Sequence, residues 1–257
     1  MRIAALQMAT LAGDPDANLG RIASGARDAA AKGADLLITP ELAVPGYGAG
    51  ETIRTLAEPI EGPAVTRLKS IAAETGLALV AGFAEVFQGD TWNSAAFIGP
   101  DGKVTLYRKS HLYGDYERNL FRAEAPSAVT LEHAGQRLGM IICFDVEFPE
   151  NVRRLALAGC TLAVVPTALP AGPYAPFIAR KMIPVRAFEN QIFVAYVNHC
   201  GVDEEFSYAG LSTIAAPDGS LLAAAEEQGE ALLIADLEPS RYEESAEQNS
   251  YLRDLRI

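Results

Sequence analysis

Three residues that could carry acyl-transfer chemistry each follow a short apolar run. They are Glu41, Lys109 and Cys143. A thiol can attack a carbonyl carbon, a carboxylate can take the thiol's proton and later deliver one to a leaving nitrogen, and an ammonium can stabilise the oxyanion that forms. The three residue types together therefore predict acyl transfer through a covalent intermediate, provided that the fold brings them into one cleft.

Each of these residues also has a purely structural interpretation. Free cysteine is among the most buried residue types, so Cys143 could be a small core side chain. Glu41 could cap a helix, and Lys109 could be a solvated charge on a loop. Their shared position by itself only suggests the functional interpretation: ligands bind at the ends of strands in open α/β sheets, and strands of one orientation end at one edge.

The stretch 137–150 places Cys143 between two predicted elements. Residues 138–142 form an apolar run with the length of a buried strand, and Pro149 opens a predicted helix. We therefore expect Cys143 to lie where a strand ends and a helix is about to begin. A helix N-terminus lowers the pKa of a thiol, so we expect a reactive thiolate at this position.

The order of elements predicts an α/β fold. A strand at 3–8, a helix at 15–32 and a strand at 34–38 form a βαβ unit with parallel strands. Two turn signals, Gly-Pro-Asp-Gly at 99–102 and Pro-Asp-Gly-Ser at 217–220, predict antiparallel hairpins. The other predicted elements are helices at 63–75, 150–158 and 177–189 and strands at 77–83, 95–98, 104–108, 162–165, 193–198, 213–216 and 221–224.

These elements form two α/β halves. Length alone allows one large domain or two small ones. Because no linker rich in proline, glycine or serine separates the halves, we predict a single domain over residues 1–257. Helices should cover its sheets in a layered α/β sandwich.

Composition excludes several function classes. The formal net charge of −12 and the absence of a basic run argue against a nucleic-acid partner. No apolar run approaches the roughly 20 residues that span a bilayer, and the N-terminus reads as a strand rather than a secretory signal. Three cysteines without framework spacing favour a reducing cytoplasm. The scattered histidines show no metal-binding pattern, and the glycine-rich loop at 45–50 lacks the lysine of a phosphate-binding loop.

Rival nucleophilic mechanisms have weaker support. The chain has no Gly-x-Ser-x-Gly elbow, which excludes the usual serine-hydrolase arrangement. His111 lies near Lys109 in sequence and could serve as the base of a Cys–His pair, or it could orient the loop after Lys109 through a structural hydrogen bond. Cys160 and Cys200 lie outside the segments that hold the candidate site residues and are interpreted as structural.

Three segments carry a family resemblance: Pro-Glu-Leu-Ala-Val-Pro-Gly-Tyr at 40–47, Tyr-Arg-Lys-Ser-His-Leu at 107–112 and Cys-Phe-Asp-Val-Glu-Phe-Pro-Glu at 143–150. On these, the chain is identified as a member of the nitrilase, or carbon-nitrogen hydrolase, superfamily. The resemblance implies a four-layer αββα sandwich, a catalytic triad of Glu41, Lys109 and Cys143, and neither a metal nor an organic cofactor. It also implies that subunits associate through the face near the active site, as a homodimer or larger homo-oligomer.

The resemblance extends to other site residues. It implies that Glu117 is a second catalytic glutamate, which positions the substrate, and that the N–H of Phe144 joins Lys109 in the oxyanion hole. Tyr47 and Tyr116, in the matching segments, are predicted to bind substrate together with Phe144 and Glu147. The segments 186–191 and 197–198 resemble the scaffold behind the site.

The residues around the cysteine indicate which branch of the family this is. Cys-Phe-Asp at 143–145 with Phe-Pro-Glu at 148–150 resembles amidases and carbamoylases rather than nitrilases. Glu147 stands where many ω-amidases carry arginine, and a carboxylate there would repel an anionic substrate. We therefore expect a thiol-dependent amidase that acts on small aliphatic or amino-acid-type primary amides. The alternatives are an N-carbamoyl amidase, an ω-amidase and a catalytically silent binding protein.

Overall fold

Two mixed β-sheets form the centre of the computed structural model, which describes residues 1–256. The last residue of the predicted domain, Ile257, lies outside the described residues. The strands are β1 (Arg2–Gln7), β2 (Leu36–Ile38), β3 (Ala78–Phe87), β4 (Asp90–Ile98), β5 (Val104–Arg108), β6 (Val129–His133), β7 (Gln136–Met140), β8 (Leu162–Thr167), β9 (Phe193–Asn198), β10 (Thr213–Ala215), β11 (Leu221–Ala224) and β12 (Ala231–Asp236).

Helices flank the two sheets and also lie in the connections near the strand ends. They are α1 (Pro15–Ala31), α2 (Thr52–Thr55), α3 (Pro63–Thr75), α4 (Gly114–Leu120), α5 (Pro149–Leu157), α6 (Ala175–Phe177), α7 (Ile183–Asn190), α8 (Glu243–Gln248) and α9 (Tyr251–Asp254). A π-helical turn, Ile178–Met182, joins α6 to α7, and 3-10 turns span Cys143–Glu147 and Pro239–Tyr242. No helix among residues 1–256 is long and apolar enough to cross a bilayer.

The strand order confirms the predicted topology. Among residues 1–256 the first sheet runs β12-β1-β2-β3-β4-β5 and the second β11-β10-β9-β8-β7-β6. The βαβ unit is present, with β1 parallel to β2, and both predicted hairpins pair antiparallel as β4–β5 and β10–β11. The edge strands β6 and β12 were not predicted. Their side chains are mostly half-buried.

Alternating side chains of β1 show how the layers pack. Ile3 and Ala5 lie in the core that also contains residues of the second sheet, whereas Ala4 lies in the core beneath α1 and α3. On the far side, α5 and α7 pack against the second sheet through residues such as Leu155 and Ile183. The predicted four-layer αββα sandwich is therefore confirmed.

Strand direction brings the predicted site residues to one edge. β2 is parallel to β3, while β4 is antiparallel to both β3 and β5, so β2 and β5 run in the same direction. Glu41 follows β2 and Lys109 follows β5, which places them at the same edge of the first sheet. In the second sheet, the end of β7 lies toward this edge, and Cys143 follows it closely.

Candidate active site

Cys143 begins the 3-10 turn that connects β7 to α5. The predicted position between strand and helix is confirmed, but β7 ends at Met140 and α5 begins only at Pro149. The backbone of Cys143 has φ +44°, in the left-handed region that disfavours residues with a Cβ. The residue is 8% exposed and lines a cavity of about 430 Å³.

Asp145 fixes the cysteine turn to the loop that carries Lys109. Its Oδ2 accepts hydrogen bonds from the N–H of Ile142 at 3.1 Å and the hydroxyl of Tyr107 at 2.9 Å. Its Oδ1 accepts from the hydroxyl of Ser110 and the N–H of His111, both at 2.8 Å. Burial opposes ionisation of Asp145, but the hydrogen bond from His111 and the charge of Lys109 outweigh it and lower the pKa. One buried carboxylate thus joins the turn of Cys143 to the loop of Lys109.

His111 contributes to this scaffold. Its Nδ1 lies 2.8 Å from Asp145 Oδ1, and its ring stacks on Phe148 with centroids 4.0 Å apart. These contacts favour the interpretation of His111 as the residue that orients the loop. Behind the turn, Arg186 donates to the carbonyl oxygens of Val146 at 2.9 Å and Glu147 at 2.7 Å.

An ion cluster of three fully buried side chains lies beside the cysteine turn. Lys109 Nζ is 2.6 Å from Glu41 Oε1 and 2.6 Å from Glu117 Oε1, and all three side chains are 0% exposed. Asn93 donates to Glu41 Oε1 at 2.7 Å, and the Tyr47 hydroxyl donates to Glu117 Oε1 at 2.8 Å. Charges this deep are tolerated only when they are paired and hydrogen-bonded, and here each has such partners.

Two carboxylates share one ammonium, which makes one of them easy to protonate. Burial raises the pKa of Glu41 to about 7; Lys109 opposes that rise and Glu117 adds to it. Burial also disfavours the charged form of Lys109, but Glu117 and Glu41 outweigh this and raise its pKa well above the usual value. Lys109 therefore stays an ammonium, and Glu41 can gain or lose a proton near neutral pH.

The expectation of a thiolate at Cys143 was wrong. Burial raises the pKa of this thiol well above its usual value, and the charge of Glu41 adds to the effect, while Lys109 only partly opposes it. The five-residue 3-10 turn also separates Cys143 from the start of α5. The resting thiol is consequently neutral, so its proton must leave during the attack. Among the described residues Glu41 Oε2 has no hydrogen-bond partner, which leaves this oxygen available as an acceptor.

The cavity collects most of the predicted site residues. Tyr47, Glu117, Cys143, Phe144 and Glu147 line it. Glu41 and Lys109 lie behind this lining, in contact with Glu117 through Lys109. The sequence did not identify the other lining residues, which are Tyr113, Ala168, Leu169, Pro170, Ala171, Gly172, Tyr174, Ala175 and Ile178.

The substrate contact predicted for Tyr116 needs correction. Its hydroxyl donates to the carbonyl oxygen of Tyr47 and accepts from the N–H of Gly50 at 3.1 Å, and its ring packs 5.4 Å from that of Tyr47. Tyr116 therefore supports Tyr47 from behind and is not among the described residues that line the cavity. Its helix, α4, turns Glu117 inward and Tyr116 toward the loop at 47–50.

His199 is a positioning residue for Glu41 that sequence reasoning missed. Its Nε2 lies 2.6 Å from the carbonyl oxygen of Glu41, and its Nδ1 lies 3.3 Å from Thr10 Oγ1. Burial lowers the pKa of His199 to about 4, so the neutral ring donates to Glu41 through Nε2. Leu42, the residue after Glu41, has a left-handed backbone with φ +48°. Glu41 and His199 are distant in sequence, and only the packing of the two sheets brings them together.

The described residues show no metal centre. Among residues 1–256 no three histidine, cysteine, aspartate or glutamate side chains lie together in an arrangement that could hold a metal ion. All three cysteines in this range are free and buried.

Comparison with known proteins identifies the family. The sequence model of the carbon-nitrogen hydrolases matches residues 2–247. The chain belongs to the carbon-nitrogen hydrolase family. It falls in the amidase-like branch of the nitrilase superfamily and is a hydrolase that acts on amides.

Relatives of this carbon-nitrogen hydrolase match it along its whole length. It is 43% identical to a protein named hydrolase in pqqF 5'region from Pseudomonas protegens, over 100% of this chain and 89% of that protein. An (R)-stereoselective amidase from Pseudomonas sp. is 34% identical over 100% of this chain and 92% of that protein. The crystal structure of an amidase from Nesterenkonia sp. superposes with a TM-score of 0.89 at 33% sequence identity. The match covers 100% of this chain and 93% of that amidase. In one solved form of that amidase, acrylamide has added to its active-site cysteine.

Proposed function

We propose that the protein hydrolyses small aliphatic or amino-acid-type primary amides to a carboxylic acid and ammonia through an acyl-enzyme on Cys143. One observation carries this proposal. Cys143 lines a cavity next to Glu117, and Lys109 bridges Glu117 to Glu41 with two contacts of 2.6 Å. This arrangement supports the assignment of Cys143 as the nucleophile, Glu41 as the base and Lys109 as the cation that stabilises the oxyanion.

In the first half-reaction, Glu41 takes the thiol proton as Cys143 Sγ bonds to the amide carbon. The carbonyl π electrons move onto oxygen, where the Lys109 ammonium and the Phe144 N–H stabilise the negative charge. The protonated Glu41 then gives its proton to the amide nitrogen. When the carbon–nitrogen bond breaks, ammonia leaves and a thioester remains on Cys143. A base with a pKa of about 7 suits both steps, since it must accept and return the same proton.

In the second half-reaction, water attacks the thioester while Glu41 accepts a proton from it. The tetrahedral intermediate collapses, the carbon–sulfur bond breaks, and the proton on Glu41 returns to the sulfur. The carboxylic acid is released and the thiol is restored. Glu117 keeps Lys109 in place throughout and presents its carboxylate to the cavity, where it positions the substrate beside Tyr47.

The composition of the cavity favours primary amides over the two alternatives within this family. An ω-amide of a dicarboxylic acid and an N-carbamoyl amino acid both carry a free carboxylate. The described cavity lining contains two glutamates and neither lysine nor arginine, so it offers an anion no ion-pairing partner. The (R)-stereoselective amidase among the relatives agrees with this choice.

The assembly, domain and compartment assignments extend this proposal. We infer a homodimer formed by the segment around α6 and α7, because Tyr174, Phe177 and Val185 are 77%, 60% and 50% exposed there and Tyr174 also lines the cavity. Both sheets share one apolar core, which supports a single domain. Three free thiols support a reducing cytoplasm.

A substrate panel with a nucleophile variant tests the function. Ammonia release from propionamide, a carbamoyl amino acid and a nitrile should be highest with propionamide. Cys143→Ala should abolish it, with a loss of about 10⁴-fold or more. Cys160→Ala, which removes a free thiol far from the cavity, is the matched control and should retain activity. Turnover of carbamoyl compounds or nitriles alone would contradict the amidase proposal, and full activity of Cys143→Ala would contradict every thiol mechanism.

A further inference from the structure

Glu147 is a carboxylate of the cavity that the hydrolytic mechanism does not use. It ends the turn that Cys143 begins and lines the same cavity. Among residues 1–256 no side-chain hydrogen bond or ion pair holds its carboxylate, in contrast to Glu117, whose oxygens accept from Lys109, Tyr47 and the N–H of Tyr113.

Burial raises the pKa of Glu147 and the charges of Arg186 and Lys109 partly oppose that rise, but among residues 1–256 neither forms an ion pair with its carboxylate. Arg186 directs two nitrogens at the main-chain carbonyl oxygens of Val146 and Glu147 and a third contact, at 3.1 Å, to Glu189. Lys109 is shared between Glu41 and Glu117. The positive charges near Glu147 therefore already have partners, and its carboxylate faces the cavity as an unpaired negative group.

The shape of the cavity indicates which part of a substrate would meet this carboxylate. The leaving group of a primary amide is a single nitrogen atom, so the acyl group must fill the rest of the space. A volume of about 430 Å³ lies within the range of about 300–1,000 Å³ seen for small-molecule sites. That space is larger than a simple short-chain amide requires. Apolar residues such as Leu169 and Ile178 line other parts of the wall.

We propose that Glu147 binds an ammonium group on the acyl side of the substrate, so that amino-acid-type amides are preferred over neutral amides of the same shape. This inference rests on the proposed amidase function and specifies its substrate class. Glu147 is half-buried, and partial burial of a carboxylate without a partner is unfavourable, so an incoming ammonium would reduce that penalty. A neutral amide leaves the penalty in place, and an anionic amide increases it.

Pairs of isosteric substrates test the inference. Alaninamide and isobutyramide differ in shape only by an ammonium in place of a methyl group, as do β-alaninamide and butyramide. The measurement is the ratio of kcat/KM for the charged and neutral members of each pair. In the wild-type protein we expect a ratio above one in at least one pair, and in Glu147→Gln we expect that ratio to fall roughly tenfold. Glu150→Gln is the matched control, because Glu150 is exposed three residues further along and is not a lining residue; it should keep the wild-type ratio.

The outcomes separate this inference from the proposed function. If neither member of either pair is hydrolysed, the amidase function itself fails. If the neutral members are hydrolysed with a dependence on Cys143 but no wild-type ratio exceeds one, only the ammonium subsite fails. An unchanged ratio of kcat/KM in a folded Glu147→Gln variant would also overturn the proposed ammonium subsite. Glu147→Asp, which keeps the charge on a shorter side chain, should retain a ratio above that of Glu147→Gln.

Discussion

The two sheets follow the same strand plan, but their strand ends carry different side chains. Each has three parallel strands, β1-β2-β3 or β7-β8-β9, followed by an antiparallel hairpin, β4-β5 or β10-β11. Each also has an antiparallel strand on the other edge, β12 or β6. The backbone therefore presents two similar sets of strand ends to the centre of the molecule.

Strand ends of the first sheet lead to Glu41 and Lys109, and a strand end of the second sheet leads to Cys143, the proposed nucleophile. Glu41 follows Pro40 after β2, and the residue that follows Pro166 at the end of β8 is Thr167. The two positions meet, since the N–H of Glu41 donates to the carbonyl oxygen of Thr167 at 3.3 Å. Lys109 directly follows β5, and Ala225 directly follows β11. One active site forms instead of two because the side chains differ, although the scaffold repeats.

After Cys143→Ala, the largest effect should come from Glu41→Gln, compared with Thr167→Val at the matching position. Glutamine keeps the shape of Glu41 but cannot accept the thiol proton, so we expect kcat/KM to fall about 10³-fold. Thr167→Val removes a hydroxyl that donates to the carbonyl oxygen of Val165 at 3.1 Å and should change kcat/KM by less than about threefold. Steady-state ammonia release and melting temperatures would check both. Similar losses of kcat/KM in the two variants would mean that the two strand ends contribute equally to catalysis.

The pH dependence of the wild-type protein should show the titration of Glu41. The base works only when it is ionised, and its pKa is about 7. As pH falls below that value, kcat/KM should therefore decrease by about tenfold per unit. A profile that stays flat down to about pH 5 would show that Glu41 is not the group that accepts the proton.

His199→Asn should weaken the link between the two sheets and change the acid stability. The pKa of His199 is about 4 in the folded protein and 6.5 is its ordinary value, so the unfolded chain binds more protons between these values. Unfolding free energy should consequently fall as pH drops from 6.5 toward 4, with up to about 3 kcal/mol from this residue. Urea unfolding at several pH values should show a shallower fall in His199→Asn. His133→Asn, at a half-buried histidine, is the control, and a wild-type slope in His199→Asn would contradict the prediction.

Tyr47→Phe should produce the smallest of these effects. It removes one donor from Glu117 while Lys109 and the N–H of Tyr113 remain bonded to the same carboxylate. A lost hydrogen bond to a charged group corresponds to about 1.5–3 kcal/mol, so kcat/KM should fall by roughly ten- to a hundredfold. Tyr251→Phe, on α9 and 44% exposed, should have no effect. An unchanged kcat/KM in Tyr47→Phe would show that Glu117 does not depend on this donor.

Sequence reasoning works best for features that depend on neighbouring residues, such as the order of the strands and the residues that follow them. Glu41, Lys109 and Cys143 were predicted as site residues because each lies close behind a short apolar run and within a segment that resembles a known family. β2 and β5 bring Glu41 and Lys109 to one edge of the first sheet. It failed where partners come from distant segments. Asn93 and His199 reach Glu41 across 52 and 158 positions, and no spacing rule connects them. Tyr116 was wrongly assigned to the substrate because adjacent residues of a short helix face different neighbours.

The left-handed backbone of Cys143 places reactivity and thermodynamic stability in opposition at one position. Left-handed geometry costs a residue with a Cβ roughly 1–2 kcal/mol, and glycine would avoid that cost. A glycine at 143 would remove the nucleophile while relaxing the turn. Selection of variants for heat resistance alone would therefore favour loss of the reactive sulfur, and any laboratory evolution of this fold must screen for turnover as well as for survival on heating.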